Sequence, residues 1–114
     1  MHVWKVKWNM GAATAQAFVD QMKVEGRTHV SFDGAPLDRW LCPSDLRNQQ
    51  LEIDAMVEVA TKNDVAGMHF DYIRYPRPHA CFCRNCRKRF EARLGRAVRN
   101  WPADVRGEEL GTAW

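Results

Sequence analysis

Three of the four cysteines fall within six residues, Cys81-Phe-Cys83-Arg-Asn-Cys86, and the fourth, Cys42, lies upstream. Thiolates at this density suit a soft metal, and a structural zinc site asks for four such ligands in a closed tetrahedron. Cysteines only two apart rarely meet disulfide geometry without strain, so the spacing favours a metal over a disulfide framework. The Cys-rich loop, residues 79–86, runs into a predicted helix N-terminus, where the helix dipole favours thiolate over thiol. Cys42, Cys81, Cys83 and Cys86 are therefore the candidate metal ligands, with His79 as a substitute for Cys42. Zinc is the expected cofactor, in a structural role, because a closed thiolate site leaves no open position for water. The plainer reading is four unligated thiols, with Cys86 packing on a helix stripe beside Phe90 and Leu94.

A second group lies in Gly67-Met68-His69-Phe70-Asp71-Tyr72-Ile73-Arg74-Tyr75-Pro76. In a strand, His69 and Asp71 share one face and Met68 and Phe70 the other. A carboxylate such as Asp71, kept ionised by neighbouring Arg74, can attack an anomeric carbon or stabilise an oxocarbenium-like transition state. Tyr72, Tyr75, Trp8 and Trp40 offer platforms for a sugar ring, and His69 and Asn9 polar contacts. The plainer reading makes Asp71 a strand-end cap paired with Arg74, His69 a satisfied core residue, and the tryptophans core.

These residues need elements to hold them. His2–Asn9 alternates Trp4, Val6 and Trp8 against Lys5, Lys7 and Asn9, the period of a strand. Thr14 can cap a helix over Ala15–Glu25, with Phe18, Val19 and Met22 on one face and Gly26 at its end. Thr28–Phe32 predicts a strand turning at Asp33-Gly34 toward Arg39–Cys42. Pro43-Ser44-Asp45 starts a helix to about Lys62, whose Ile53, Met56, Val57 and Ala60 form an apolar stripe and which stops at Asn63-Asp64. Ala66–Asp71 reads as a buried strand, ended by Pro76 and Pro78. Arg84–Leu94 reads as a third helix, with Cys86, Phe90 and Leu94 in register and Gly95 as its stop.

Strand, helix, strand pair, helix, strand, loop, helix is the order of βαβ units, so the expected fold is α/β, a partial (β/α)8 TIM barrel of about three βα units. In it Asp71 and Asn9 would sit at the C-terminal rim. Three units cannot close a barrel, and Gly111-Thr-Ala-Trp114 shows no closing element. The expectation is that residues 1–114 form a fragment of one catalytic domain, with the remainder of the barrel in missing sequence.

The run His69-Phe-Asp-Tyr-Ile-Arg-Tyr-Pro76, preceded by Trp40-Leu-Cys-Pro-Ser44 and a helix with Glu58, resembles the glycosyl-hydrolase-like 10 family. The similarity extends from Val3-Trp-Lys-Val through Phe90-Glu and fades toward Trp101-Pro. It implies a TIM-type barrel, a carbohydrate substrate, hydrolysis of O-glycosidic bonds, and Asp71 as the catalytic residue at the end of the fourth strand. Members of the family are often exported bacterial envelope proteins. The cysteine loop alone is similar to that of zinc-bearing β-galactosidases. Glycoside cleavage needs a second carboxyl group. Asp33 and Asp45 lie in loops that could reach a rim, whereas Glu52, Asp54 and Glu58 fall on a helix outside a barrel. In the resembling clans the acid comes from a later strand, beyond Trp114.

The remaining features exclude more than they assign. With 46% apolar residues the chain has material for a core, and no run reaches the roughly 20 apolar residues of a membrane helix. Met-His-Val-Trp-Lys lacks the plan of a signal peptide. The net charge of +3 is mild, its excess concentrated in Arg84–Arg106. A zinc-stabilised nucleic-acid module using Arg84, Arg87, Lys88, Arg89, Arg93, Arg96 and Arg99 is the alternative of a different class. Those cations circle the helix, and Arg87 can pair with Glu91, which favours a solvated surface over nucleic acid. A non-catalytic carbohydrate-binding protein is the third reading.

Overall fold

The computed structural model describes residues 12–70, 75 and 80–114. Helix α1 (Ala12–Val24) begins earlier than Thr14 suggests and buries Ala15, Val19 and Met22, one apolar residue per turn. Gly26, at φ 66°, ends it in the left-handed conformation that costs glycine least. Strands β1 (Thr28–Val30) and β2 (Pro36–Leu41) follow. They pair antiparallel, Val30 opposite Pro36 and Thr28 opposite Leu41, with a register irregularity between Thr28 and His29. The turn expected at Asp33-Gly34 closes them: Ser31 N–H donates to the Ala35 carbonyl at 2.9 Å, and Gly34 has φ 87°.

Helix α2 (Leu46–Lys62) starts where the sequence suggests. Asp45 caps it by accepting from Arg47 N–H at 2.9 Å, and Asn63 is its C-cap. Helix α3 (Arg84–Leu94) matches its predicted span, stops at Gly95 (φ 74°), and buries Cys86 and Phe90. Arg87 pairs with Glu91 as expected, Nε to Oε1 at 2.9 Å. Beyond it lie a 3-10 helix, Ala103–Arg106, and a short helix α4, Glu108–Gly111. This C-terminal stretch, read from sequence as lacking a closing element, folds over α3. Phe82, Phe90, Val98, Val105 and Leu110 form its core, with Trp101 and Trp114 against them. A smaller core joins Val19 and Met22 of α1 to Leu41 of β2.

The partial (β/α)8 barrel is corrected by this architecture. Among the described residues the sheet is a two-stranded antiparallel hairpin, with no parallel strand. Residues 66–70, expected as a buried strand, are exposed and join no ladder. The physical reason lies in pairing: a parallel strand is stable only with strand neighbours and layers on both faces, and among the described residues it is residues 80–83, not 66–70, that lie along β1, through the Phe82 N–H to Val30 carbonyl bond. The predicted strand His2–Asn9, and Asn9, Asp71, Tyr72, Arg74 and His79 with it, lie outside the described residues.

The apolar stripe of α2 is a second correction. Ile53 and Val57 are 47% and 54% exposed, while Asn48, on the opposite side, is 0% exposed. Polar anchors fix this roll. Asn48 accepts from Arg27 Nε at 2.8 Å and donates to the carbonyls of Arg27 and Cys42, both at 2.9 Å. Asp45, also buried, takes Nε and Nη2 of Arg47 and Nδ2 of Asn85. Replacing Asn48 by Ala removes three buried or part-buried hydrogen bonds, leaving the Cys42 carbonyl only the longer bond from Asp45 N–H at 3.3 Å and the Arg27 guanidinium only Glu25, so Asn48→Ala should destabilise the chain by about 2 kcal/mol. Gln49→Ala, on the exposed side, should change stability by less than about 0.5 kcal/mol. Urea unfolding of the two variants checks this, and equal midpoints would mean that Asn48 does not anchor the helix.

Candidate metal centre

The sulfur positions follow from three local structures. Cys42 leaves β2 with its N–H on the Arg27 carbonyl at 2.8 Å and its own carbonyl held by Asn48. Phe82 N–H donates to the Val30 carbonyl at 2.8 Å, which lays residues 80–83 alongside β1. Alternation along this extended stretch sends Phe82 into the aromatic core and Cys81 and Cys83 toward the sulfur cluster. Cys83 is the N-cap of α3, and Cys86 lies in the helix's first turn.

All four cysteines are buried, at 0–5% exposure, and their Sγ atoms lie within 4.8 Å of one another. Cys42 Sγ is 3.4 Å from Cys83 Sγ and 3.5 Å from Cys86 Sγ. Tetrahedral zinc–thiolate bonds of ~2.3 Å set neighbouring sulfurs about 3.8 Å apart, so the arrangement is close to that of a ligand set. None of the four is in a disulfide. Val30 N–H points at Cys81 Sγ at 3.4 Å, a donor aimed at a sulfur acceptor. The four cysteines thus form a site that could bind a metal ion.

Protons are shared unevenly in the cluster. Hydrogen bonding with Cys42 holds the Cys81 and Cys83 thiols below the ordinary cysteine range. The bonding partners hold Cys42, chiefly through Cys81, and Cys86, chiefly through Cys42, above it. A metal ion binds such sulfurs as thiolates, so its entry releases the protons they carry.

Of the other candidates, Tyr75 alone reaches this neighbourhood among the described residues. Its ring stands edge-on to His29 with centroids 5.8 Å apart. Burial, and after it the electrostatic interaction with the neighbouring cysteine sulfurs, holds its phenol above the ordinary tyrosine range. His69 is exposed in the irregular stretch 66–70. Asp33 and Asp45, considered as rim carboxylates, serve the turn and the α2 cap instead. Asp33 is bonded by Ser31 Oγ, and Asp45 is 3% exposed beneath Arg47. Sequence reasoning passed over His29, 1% exposed in β1. Its position one residue before the strand residue that pairs with the cysteine loop becomes meaningful only once that pairing is known.

The basic residues of α3 do not line a single face. Arg87 is paired with Glu91 and donates to the Val98 carbonyl, Arg89 reaches the Ser44 carbonyl, and Arg96 pairs with Glu109. No helix among the described residues is long and apolar enough to cross a membrane.

Cobalt(II) added to the reduced chain should give thiolate-to-metal absorption saturating at one ion per chain. Cys42→Ser should weaken binding by more than about a hundredfold, beyond the effect of altering an outer hydrogen bond. Lowering the pH should weaken it further, because the ligands bind as thiolates. Unchanged binding in Cys42→Ser would remove this residue from the ligand set. No protein family, curated protein or solved structure matches the chain.

Proposed function

We propose that Cys42, Cys81, Cys83 and Cys86 hold one zinc ion in a closed structural site, and that the protein it stabilises acts on carbohydrate with Asp71 as the carboxylate facing the sugar. The observation that carries the metal reading is the convergence of four buried sulfurs within 4.8 Å from two segments far apart in sequence. Zinc suits an all-thiolate tetrahedron, and such a site stabilises the fold instead of activating water. Its consequence is measurable: EDTA should lower the thermal midpoint of the zinc-loaded chain by upwards of about 10 °C, as expected when a tight ligand of the native state is withdrawn. An unchanged midpoint would leave the sulfurs as ordinary core.

The carbohydrate reading is supported by the run Gly67–Pro76 and its resemblance to glycosyl-hydrolase-like proteins. It rests on those residues and not on a barrel. Asp71, kept ionised by Arg74, serves as nucleophile or electrostatic partner at the anomeric carbon, and His69, Tyr72, Tyr75 and Asn9 contact the sugar. Assayed on a glycan panel, Asp71→Asn should reduce hydrolysis by about a hundredfold or more.

A second reading is a zinc-stabilised carbohydrate-binding module without turnover. It is favoured by one observation: Asp33 and Asp45, the two loop carboxylates best placed by sequence to complete a catalytic pair, are bound into the turn and the helix cap. Glycan binding that persists in Asp71→Asn, with no hydrolysis by either form, would select this reading. Loss of turnover on substitution selects the hydrolase.

A further inference from the structure

The sulfur cluster is arranged for one reaction besides metal binding. Cys42 Sγ lies 3.4 Å from Cys83 Sγ and 3.5 Å from Cys86 Sγ, and none of the cysteines is in a disulfide. A disulfide holds two sulfurs at about 2.05 Å, so either contact needs about 1.4 Å of closure, the scale of a side-chain rotation. Hydrogen bonds that do not involve sulfur keep the two segments side by side. Cys42 has its N–H on the Arg27 carbonyl at 2.8 Å and its carbonyl on Asn48 Nδ2 at 2.9 Å, Phe82 N–H is on the Val30 carbonyl, and Asn85 at the start of α3 is on Asp45. Cys42 therefore faces the loop sulfurs whether or not an ion lies between them. Pairing within the loop is less favoured. Cys81 and Cys83, two apart on extended backbone rising ~3.3 Å per residue, stand at the upper edge of the Cα separation a disulfide spans. Cys86 competes for Cys83 from the first turn of α3, but Cys42 is in contact with both.

We infer that peroxide links Cys42 to Cys83 or Cys86 as a disulfide, and that this disulfide and a metal ion are mutually exclusive states of the cluster. The second half of the inference rests on the proposed metal site. One thiol sulfur attacks a peroxide oxygen, the O–O bond breaks, and water leaves with the thiol proton, giving a sulfenic acid. The sulfur in contact with it then displaces the hydroxyl as a second water and forms the S–S bond. Two thiols lose two electrons and two protons, and one hydrogen peroxide becomes two waters. Zinc has no redox chemistry, so in the zinc-loaded chain the electrons come from two thiolates and the protons from solvent. Sulfurs at 0–5% exposure select for so small an oxidant over a bulky disulfide reagent. The linkage takes away two of the four ligands but keeps a sulfur tie between the hairpin and the loop. Oxidation thereby releases the ion and spares the fold.

Hydrogen peroxide added to the full chain, zinc-loaded and metal-free, decides this. Peptide mass mapping without reduction identifies the linkage, a chromogenic chelator follows released zinc, and cobalt(II) absorption of the reduced chain reports the metal site independently. The main product in both forms should be a disulfide from Cys42 to Cys83 or Cys86, with one zinc released per linkage. The oxidised chain should give no cobalt band, and reduction should restore it. Mapping uses the unsubstituted chain, so the result does not depend on a cysteine variant folding. A disulfide confined to residues 81–86, no disulfide at all, or zinc retained beside the Cys42 linkage overturns the inference, and a cobalt band in the reduced chain then leaves the metal site standing. A Cys42 linkage in a chain that never binds cobalt(II) upholds the cross-link and overturns its exchange with metal together with the metal site.

Discussion

The contact of Cys42 Sγ with Cys83 Sγ and Cys86 Sγ, at 3.4 and 3.5 Å, joins the hairpin half of the chain to its C-terminal half. Cross-linking Cys42 to Cys81 closes a loop of roughly 40 residues. By the chain-entropy relation used for disulfides, such a closure restricts the unfolded chain by about 4 kcal/mol. That is a large share of the ~5–15 kcal/mol by which domains are stable. Further links between the halves include the Phe82–Val30 backbone bond, the Val30 N–H on Cys81 Sγ, the Asn85–Asp45 bond, the Arg89 bond to the Ser44 carbonyl, the edge contact of Phe32 with Phe82, and Arg106 over the Phe32 ring at 3.6 Å. They reinforce a position that the sulfurs define.

Much of this organisation was legible in the sequence where a local rule governs it. Asp45 and Asn63 bound α2, Gly95 ends α3, and Asp33-Gly34 turns the hairpin, because caps and tight turns depend on residues within one turn of each other. The gathering of the four cysteines into one cluster that could bind a metal ion was legible for the same reason, thiolate chemistry being a property of residue type and spacing. The sheet was not. Alternation in Ala66–Asp71 reports which side chains share a face, but not whether a neighbouring strand exists to pair with. Nor does the order of strands and helices state which edge receives which strand. His29 and Asn48 were invisible because their roles depend on partners 51 and 6 residues from them or their neighbours in sequence, Cys81 with Val30 and Cys42 with Asn48.

The roll of α2 shows two rules in conflict. Burying Leu46, Ile53 and Val57 would favour the apolar stripe by about 1.5–3 kcal/mol for each side chain. Against this stand Asp45 and Asn48, whose buried groups each cost about 1–3 kcal/mol if left unmet, and more for the carboxylate. The magnitudes are comparable, so the available surface settles the matter. A two-stranded ribbon is about as wide as one helix, and α1 already covers it with Val19 and Met22 against Leu41. With little apolar surface left to receive the stripe, the polar anchors prevail, and Leu46, Ile53 and Val57 face outward at 71%, 47% and 54% exposure.

The same preference for paired charges bears on the chemistry proposed at Asp71. A glycosidase acid must hold its proton near neutral pH, which requires a carboxyl group pushed above its ordinary range by burial or a like charge. Glu25, Asp33, Asp45, Glu58 and Glu91 are all shifted the other way. Gln21 and Arg27, Ser31, Arg47, Lys62 and Arg87 respectively bond them and hold them below that range. Each is thus ionised and engaged in structure at neutral pH, so none is suited to donate a proton to a leaving group. In the proposed hydrolysis the role given to Asp71, with Arg74 three residues on in the sequence, is the charged one, attack on or stabilisation of the anomeric centre, and the five carboxylates above are not suited to supply the proton.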